Sequence, residues 1–203
     1  MSRRILALIA VLALALAILT GLAVRKGVLG SQPQTAAIGG PFQLVDTTGA
    51  TVDQDLLKGK WSVVFFGFTH CPDICPTTLF ELAQVEPALG ARAENFQAVL
   101  ISVDPQRDTP EQMRAYVANP AFPKRLVGLT GTPAQVDAAA KAYKVFYQKA
   151  GEGEDYTVNH ASYSYLMSPA GRFVCVLPYE LTPEQTAAKI VAAMQQGASA
   201  ESC

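Results

Sequence analysis

The chain has almost no net charge: its 16 Lys and Arg are balanced by 17 Asp and Glu, giving a formal net charge of -1, and no basic cluster stands out. The electrostatic footprint of nucleic-acid binding is therefore missing, and neither DNA nor RNA is expected as a partner. Histidine is scarce, with 2 in 203 residues, and cysteine occurs only 4 times. Any site that needs an imidazole has to use His70 or His160. No cysteine closes the apolar N-terminal run, so no thiol stands there to accept a lipid.

That run extends from Ile5 to Val24 without a charge, between Arg3-Arg4 and Arg25-Lys26. At about 1.5 Å per residue a helix of this length spans a hydrocarbon core of about 30 Å. Signal-sequence cores are shorter, and Gly21-Leu22-Ala23 is a poor cleavage site, so an uncleaved transmembrane anchor is expected over 5–24, behind a short cytoplasmic 1–4. The basic residues slightly favour a cytoplasmic N-terminus. The rest is then held at the inner membrane, on its periplasmic side. Residues 25–37 read as a flexible linker, 38–197 as one globular domain and 198–203 as a loose tail.

Inside the domain, the buried strand Trp61–Phe68 breaks into the loop Thr69-His70-Cys71-Pro72-Asp73-Ile74-Cys75-Pro76. Phe42–Val52 reads as a small hairpin leading to it. A helix through Leu79, Leu82, Val85 and Leu89 and a strand over Phe96–Val103 complete a βαβ unit. Helices over Pro110–Val117 and Pro133–Tyr143 flank a short strand at Leu126–Leu129. Tyr163–Met167 and Arg172–Leu177 form an antiparallel hairpin, and a helix over Pro183–Gln195 closes the fold. In this order the elements resemble a thioredoxin fold: α/β, a central mixed sheet flanked by helices.

Thr109-Pro110, Thr132-Pro133 and Thr182-Pro183 each precede a Gln at the third helical position, the pattern of a capping box with Pro at the first. By the same pattern Cys75-Pro76 puts Cys75 at a helix N-cap, where the dipole favours its thiolate, and Pro76 keeps Cys71–Ile74 a tight loop.

Two thiols so placed permit several chemistries. A structural disulfide is the plain one, but a Pro-flanked loop at a helix start is where reactive thiols sit. Thioredoxin-type oxidoreductases have two residues between their cysteines; this chain has Pro72-Asp73-Ile74. Where those enzymes carry a proline facing the thiols, this chain has the loop Thr157–Ser162, with no proline and with His160. Two thiolates and an imidazole suit Cu(I), accept Cu(II) with added oxygen, and are usable by zinc. A lone His160 would otherwise be a hydrogen-bonded loop residue. His70 reads as a solvated neighbour that adjusts thiol acidity, and Asp104 either fixes a turn or approaches the site. Cys175, within Phe173–Leu177, reads as apolar filler and Cys203 as a free tail thiol; a bridge between them has no support in the sequence. Tyr163 and Tyr165 read as hairpin patterning.

Taken together, Cys71-Pro-Asp-Ile-Cys75-Pro, the run Ser102-Val-Asp104-Pro-Gln-Arg107-Asp108-Thr109 and the late His160 resemble the SCO/SenC family of membrane-anchored copper proteins. The resemblance runs through most of the soluble domain. It implies copper bound by Cys71, Cys75 and His160, and a role in assembling the dinuclear copper centre of cytochrome c oxidase. The partners it implies are that oxidase subunit and a thiol reductant. The family often has an aspartate before this histidine and a hydroxyl residue after it, where this chain has Asn159 and Ala161; an amide can hydrogen-bond but supplies no charge, so the hydrogen bonding behind the ligands and the redox tuning are expected to differ. Three other readings remain: a thiol-disulfide reductase using Cys71 and Cys75 as its redox pair, a peroxide-reducing enzyme, and a redox or copper sensor.

Overall fold

The computed structural model describes residues 38–153 and 155–196, with scattered helical positions between 4 and 21. The expected anchor over 5–24 lies largely outside the described residues, as do the linker and the tail. Among the described residues no helix is long and apolar enough to cross a membrane. A compact unit begins at Ile38.

Seven strands form one mixed sheet: β1 (Gln43–Asp46), β2 (Thr51–Asp53), β3 (Trp61–Gly67), β4 (Phe96–Ser102), β5 (Leu126–Thr130), β8 (Ser164–Met167) and β9 (Phe173–Leu177), in the order β2-β1-β5-β4-β3-β8-β9. β3, β4 and β5 run parallel, and the outer strands pair antiparallel to them. Every residue of β3 and β4 is buried, as their continuous apolar runs require of strands covered on both faces. Trp61 and Val63 join the cluster beneath α1 (Ile74–Leu89) and α4 (Pro183–Gln196). Val64 and Phe66 join the one beneath α2 (Pro110–Val117) and α3 (Pro133–Tyr143), following the period of two.

The Thr-Pro starts behave as expected. Thr109 and Thr132 cap α2 and α3, the latter in a full capping box, and Thr182 and Gln185 exchange both bonds at α4. α1 departs from the pattern. It begins at Ile74, with Asp73 as N-cap, so Cys75 and Pro76 lie inside its first turn. The first four amides of a helix have no partner within it, so Pro76 removes no bond there.

The stretch read as a loop at Thr157–Ser162 is mostly strand. β7 (Thr157–His160) pairs antiparallel with β6 (Tyr147–Ala150) in a separate two-stranded arm, with Tyr147 opposite His160. Its residues are half exposed and alternate weakly, leaving a faint hydrophobic signal.

Candidate metal centre

Register brings the site together. Gly67 and Ser102 face each other at the ends of the parallel strands β3 and β4, and Val103 donates to the Gly67 carbonyl at 2.8 Å. The cysteine loop and the Asp104 turn therefore leave the sheet side by side, at the carboxyl ends of parallel strands where α/β folds bind ligands. β8 runs antiparallel to β3, with Val64 opposite Tyr165, so the chain entering β8 crosses the same end and carries His160 to the thiols.

The ligand atoms of Cys71, Cys75 and His160 lie within 4.8 Å of one another, and Cys75 Sγ is 3.6 Å from His160 Nε2. Around a three-coordinate ion with bonds of about 2.0–2.3 Å, donors stand roughly 3.5–4 Å apart, so closing on an ion takes only a small movement. His160 Nδ1 is 2.9 Å from the Ala161 carbonyl, which can only accept, so the neutral ring carries its proton on Nδ1 and presents the Nε2 lone pair to the sulfurs. The imidazole also packs edge-on against Phe68, centroids 5.8 Å apart. A backbone carbonyl thus sets the ring. Neither the Asn159 nor the Ala161 side chain makes this bond, and Asn159 is exposed.

The two thiols are unequal. Cys75 is fully buried and Cys71 half-buried, and neither is in a disulfide. The Cys71 thiol is held down at about 4, chiefly by its hydrogen bond with Cys75 and further by His160 and the amides of Asp73 and Cys75, against the opposing effect of burial. Cys75 is pushed far up by the same bond to Cys71, then by burial and by repulsion from Cys71 and Asp108. The expected Cys75 thiolate is therefore corrected to Cys71. The helix starts a residue earlier than Cys75, and it is the Cys71 sulfur that accepts from the Cys75 amide, at 3.4 Å.

The run from Ser102 to Asp108 supplies a support that residue types alone did not reveal. Buried Asp108 accepts from Thr69 N at 3.0 Å, Thr69 Oγ1 at 2.6 Å and Ser102 Oγ at 2.6 Å, tying the start of the cysteine loop to the end of β4. His70 belongs to this support: its Nδ1 is 3.0 Å from Thr69 Oγ1 and 3.7 Å from Asp108. Asp104 fixes a turn, pairing with Arg107 and accepting from the Tyr156 hydroxyl at 2.5 Å. The Arg107 guanidinium lies 3.7 Å over the Tyr156 ring and 5.8 Å from Phe68, the residue against which His160 packs. Tyr156 immediately precedes β7, so this clamp holds the arm that carries His160. Gly67 is also part of the site, since a Cβ there would meet Cys75 Sγ at 2.7 Å. Cys175, nearly buried in β9, is disulfide-bonded rather than simple filler, and Cys203 lies outside the described residues.

Comparison with known proteins points one way. The profile of the family described as SCO1/SenC matches residues 30–195. The chain is 44% identical over 147 residues to Protein SCO1 homolog 1, mitochondrial, of Arabidopsis thaliana, a match covering 71% of this chain and 43% of that protein. It thus spans less than half the length of that relative. The structure of Bradyrhizobium japonicum ScoI with copper bound superposes with a TM-score of 0.69 at 46% identity, covering 76% of this chain and 98% of the other. BsSco, described as having a disulfide switch and as a member of the Sco family of cytochrome c oxidase assembly proteins, superposes at 0.61 with 26% identity, covering 79% of this chain and 95% of its own.

Proposed function

The chain belongs to the SCO1/SenC family, and from that premise we propose that it is a copper chaperone for assembly of the dinuclear copper centre of cytochrome c oxidase. One copper ion is the cargo, held by Cys71, Cys75 and His160. The observation that carries the reading is the convergence of these three ligand atoms within 4.8 Å at one end of the sheet. Two sulfurs and one nitrogen are a soft donor set, suited to Cu(I), and Cu(II) is accommodated when an oxygen is added.

The chain's own groups divide the work. Cys71, half-buried and already a thiolate, makes first contact with the ion and with an incoming partner. Cys75 gives up its proton when metal binds, so loading releases a proton. His160 is held ready by the Ala161 carbonyl. Transfer is associative, with partner thiolates or imidazoles adding before these donors leave. Residues 5–24 anchor the protein to the cytoplasmic membrane with the domain from about residue 38 on the periplasmic side, beside the oxidase subunit.

A second reading is favoured by the inequality of the thiols. A half-buried thiolate beside a buried thiol is the arrangement of an attacking and a resolving cysteine. In that role Cys71 attacks a partner disulfide and forms a mixed disulfide. Cys75 then loses its proton and displaces the partner's second thiolate, so the partner is reduced and Cys71–Cys75 oxidised. A separate thiol reductant must reset the pair. Anaerobic Cu(I) titration of the reduced protein against a competing chelator, with Cys75→Ser and His160→Ala alongside, separates the two. Tight one-to-one binding that needs all three residues is expected. If His160→Ala loses copper but still supports oxidase maturation and dithiol exchange, delivery is wrong and the reductase stands.

A further inference from the structure

The copper-delivery reading leaves open how the recipient lies against the site, and the arm that carries His160 offers it a surface. In the register of β6 and β7, Tyr147 stands opposite His160 and Lys149 opposite Val158. Opposed residues of an antiparallel pair share a face, and so do residues two apart along a strand. Tyr147, Lys149, Val158 and His160 therefore lie on one face of the arm. The first three, with Tyr156, wall an open groove of about 150 Å³ that is closed on its other side by the turn after β4 and the start of α3. One water takes about 10–15 Å³ of such space, so the groove has room for a side chain. Val103, Tyr156 and Val158 are its buried lining, whereas Pro105 and Tyr147 are half exposed and Gln106, Pro133 and Lys149 exposed, open to an incoming group.

The charges around this groove say what it accepts. Asp104 in its lining pairs with Arg107 and accepts from Tyr156, and Asp137 accepts from the Tyr147 hydroxyl, so both carboxylates are engaged. Lys149 rests its Nζ 3.6 Å from the Tyr156 ring centre and is in no ion pair among the described residues. What the groove offers is therefore tyrosine and proline faces, the Gln106 amide and one exposed cation. A carboxylate on a short apolar stem matches all three, its stem against the rings and its oxygens toward Lys149 and Gln106. Distance along the arm adds a constraint. His160 and Val158 are two residues apart on β7, about 6.6 Å at the rise of a strand. An extended recipient segment has the same period, so an Asp or Glu two residues from an accepting cysteine comes opposite Lys149 when that cysteine reaches the ion.

We propose that this groove seats the copper recipient, taking an Asp or Glu side chain that stands two residues from one of its metal-accepting cysteines on an extended segment. The inference rests on the delivery reading. Continuity of the groove with His160 on one face of the arm favours this occupant over a second copy or a free small molecule, because a recipient segment that reaches the ion runs over the groove as well.

The test uses the full chain in detergent, loaded with Cu(I), and three synthetic acceptor peptides, each with two cysteines separated by three residues. One has Glu two residues before the first cysteine, one has Lys there, and one has Glu immediately before the cysteine, on the opposite face of an extended chain. Stopped-flow transfer is expected to be about fivefold faster to the first peptide than to the other two at low salt, with the advantage over the Lys peptide fading as salt is raised. It should persist in Lys149→Arg, fall to about twofold or less in Lys149→Gln and in Gln106→Glu, and reverse against the Lys peptide in Lys149→Glu. The peptides are compared on the same protein, so any change that a variant makes in copper affinity falls out of the ratio. Equal rates to the three peptides, an advantage that is the same at either position of Glu, or one that survives Lys149→Gln overturns the groove while leaving delivery standing. A dimer in light scattering that Lys149→Glu breaks gives the groove to a second copy and overturns the proposal too. Failure of copper to pass to any peptide overturns delivery itself, and the groove with it.

Discussion

Gly67 has no side chain because the Cys75 sulfur fills the space that one would need. Its φ is not positive, so the requirement is for room and not for an unusual backbone. Gly67→Ala sets a methyl 2.7 Å from that sulfur between buried strands that cannot give way. A loss of about 1–3 kcal/mol in denaturant unfolding is expected, together with weaker Cu(I) binding in chelator competition. Unchanged copper affinity would mean that the sulfur is not where the site needs it. The thiols themselves make a second prediction. Because Cys71 sits at about 4, lowering the pH withdraws its thiolate only as the pH falls through that value. Its alkylation rate in the reduced, metal-free protein should be flat from about pH 6 to 8, where an ordinary thiol rises roughly 100-fold. Cys75 should stay unmodified across the same range, and mass mapping of the alkylated peptides distinguishes the two.

The arm formed by β6 and β7 is the element on which the third ligand depends. Its outer face is solvated, and Tyr156, clamped between Asp104 and Arg107 and with Lys149 Nζ 3.6 Å from its ring, ties it back to the turn after β4. Tyr156→Phe keeps the ring and removes the hydroxyl that Asp104 accepts from. It should cost about 1–3 kcal/mol of stability and weaken copper binding several-fold, with the alkylation rate of Cys71 unchanged. A Tyr156→Phe protein that binds copper as the parent does, with nitrogen still at the metal, would detach the clamp from the site. The arm is also where sequence reasoning fell short. β3, β4 and the Thr-Pro helices announce themselves through continuous apolar runs and caps, but Tyr147–Ala150 and Thr157–His160 are short, polar and half exposed, so His160 looked like a loop residue. The Cys75 cap failed for another reason. The Thr-Pro pattern was carried to a sulfur, yet the helix could begin at Ile74 because Pro76 loses nothing in a first turn.

At the scale of the whole molecule, three segments far apart in sequence meet at one end of a parallel sheet core. Cys71 and Cys75 follow β3, Asp104 and Asp108 follow β4, and His160 precedes β8. The cysteine spacing and the late histidine were legible as a candidate copper ligand set because the residue types and their order are specific, and the fold brings the three ligand atoms together. The Asp108 and Tyr156 supports were not, because a buried carboxylate's partners are set by tertiary contacts that no local pattern records. If residues 5–24 are the only tie to the membrane, removing 1–37 should yield a soluble chain with the Cu(I) affinity of the full protein; loss of binding would mean that the N-terminal segment contributes to the site. The central claim is the ligand set, and X-ray absorption at the copper edge of the Cu(I)-loaded protein tests it most directly. The account predicts two sulfurs at roughly 2.3 Å and one imidazole nitrogen at roughly 2.0 Å, with the nitrogen lost in His160→Ala. A shell of sulfur alone in the parent protein, or a nitrogen that persists in His160→Ala, would contradict it.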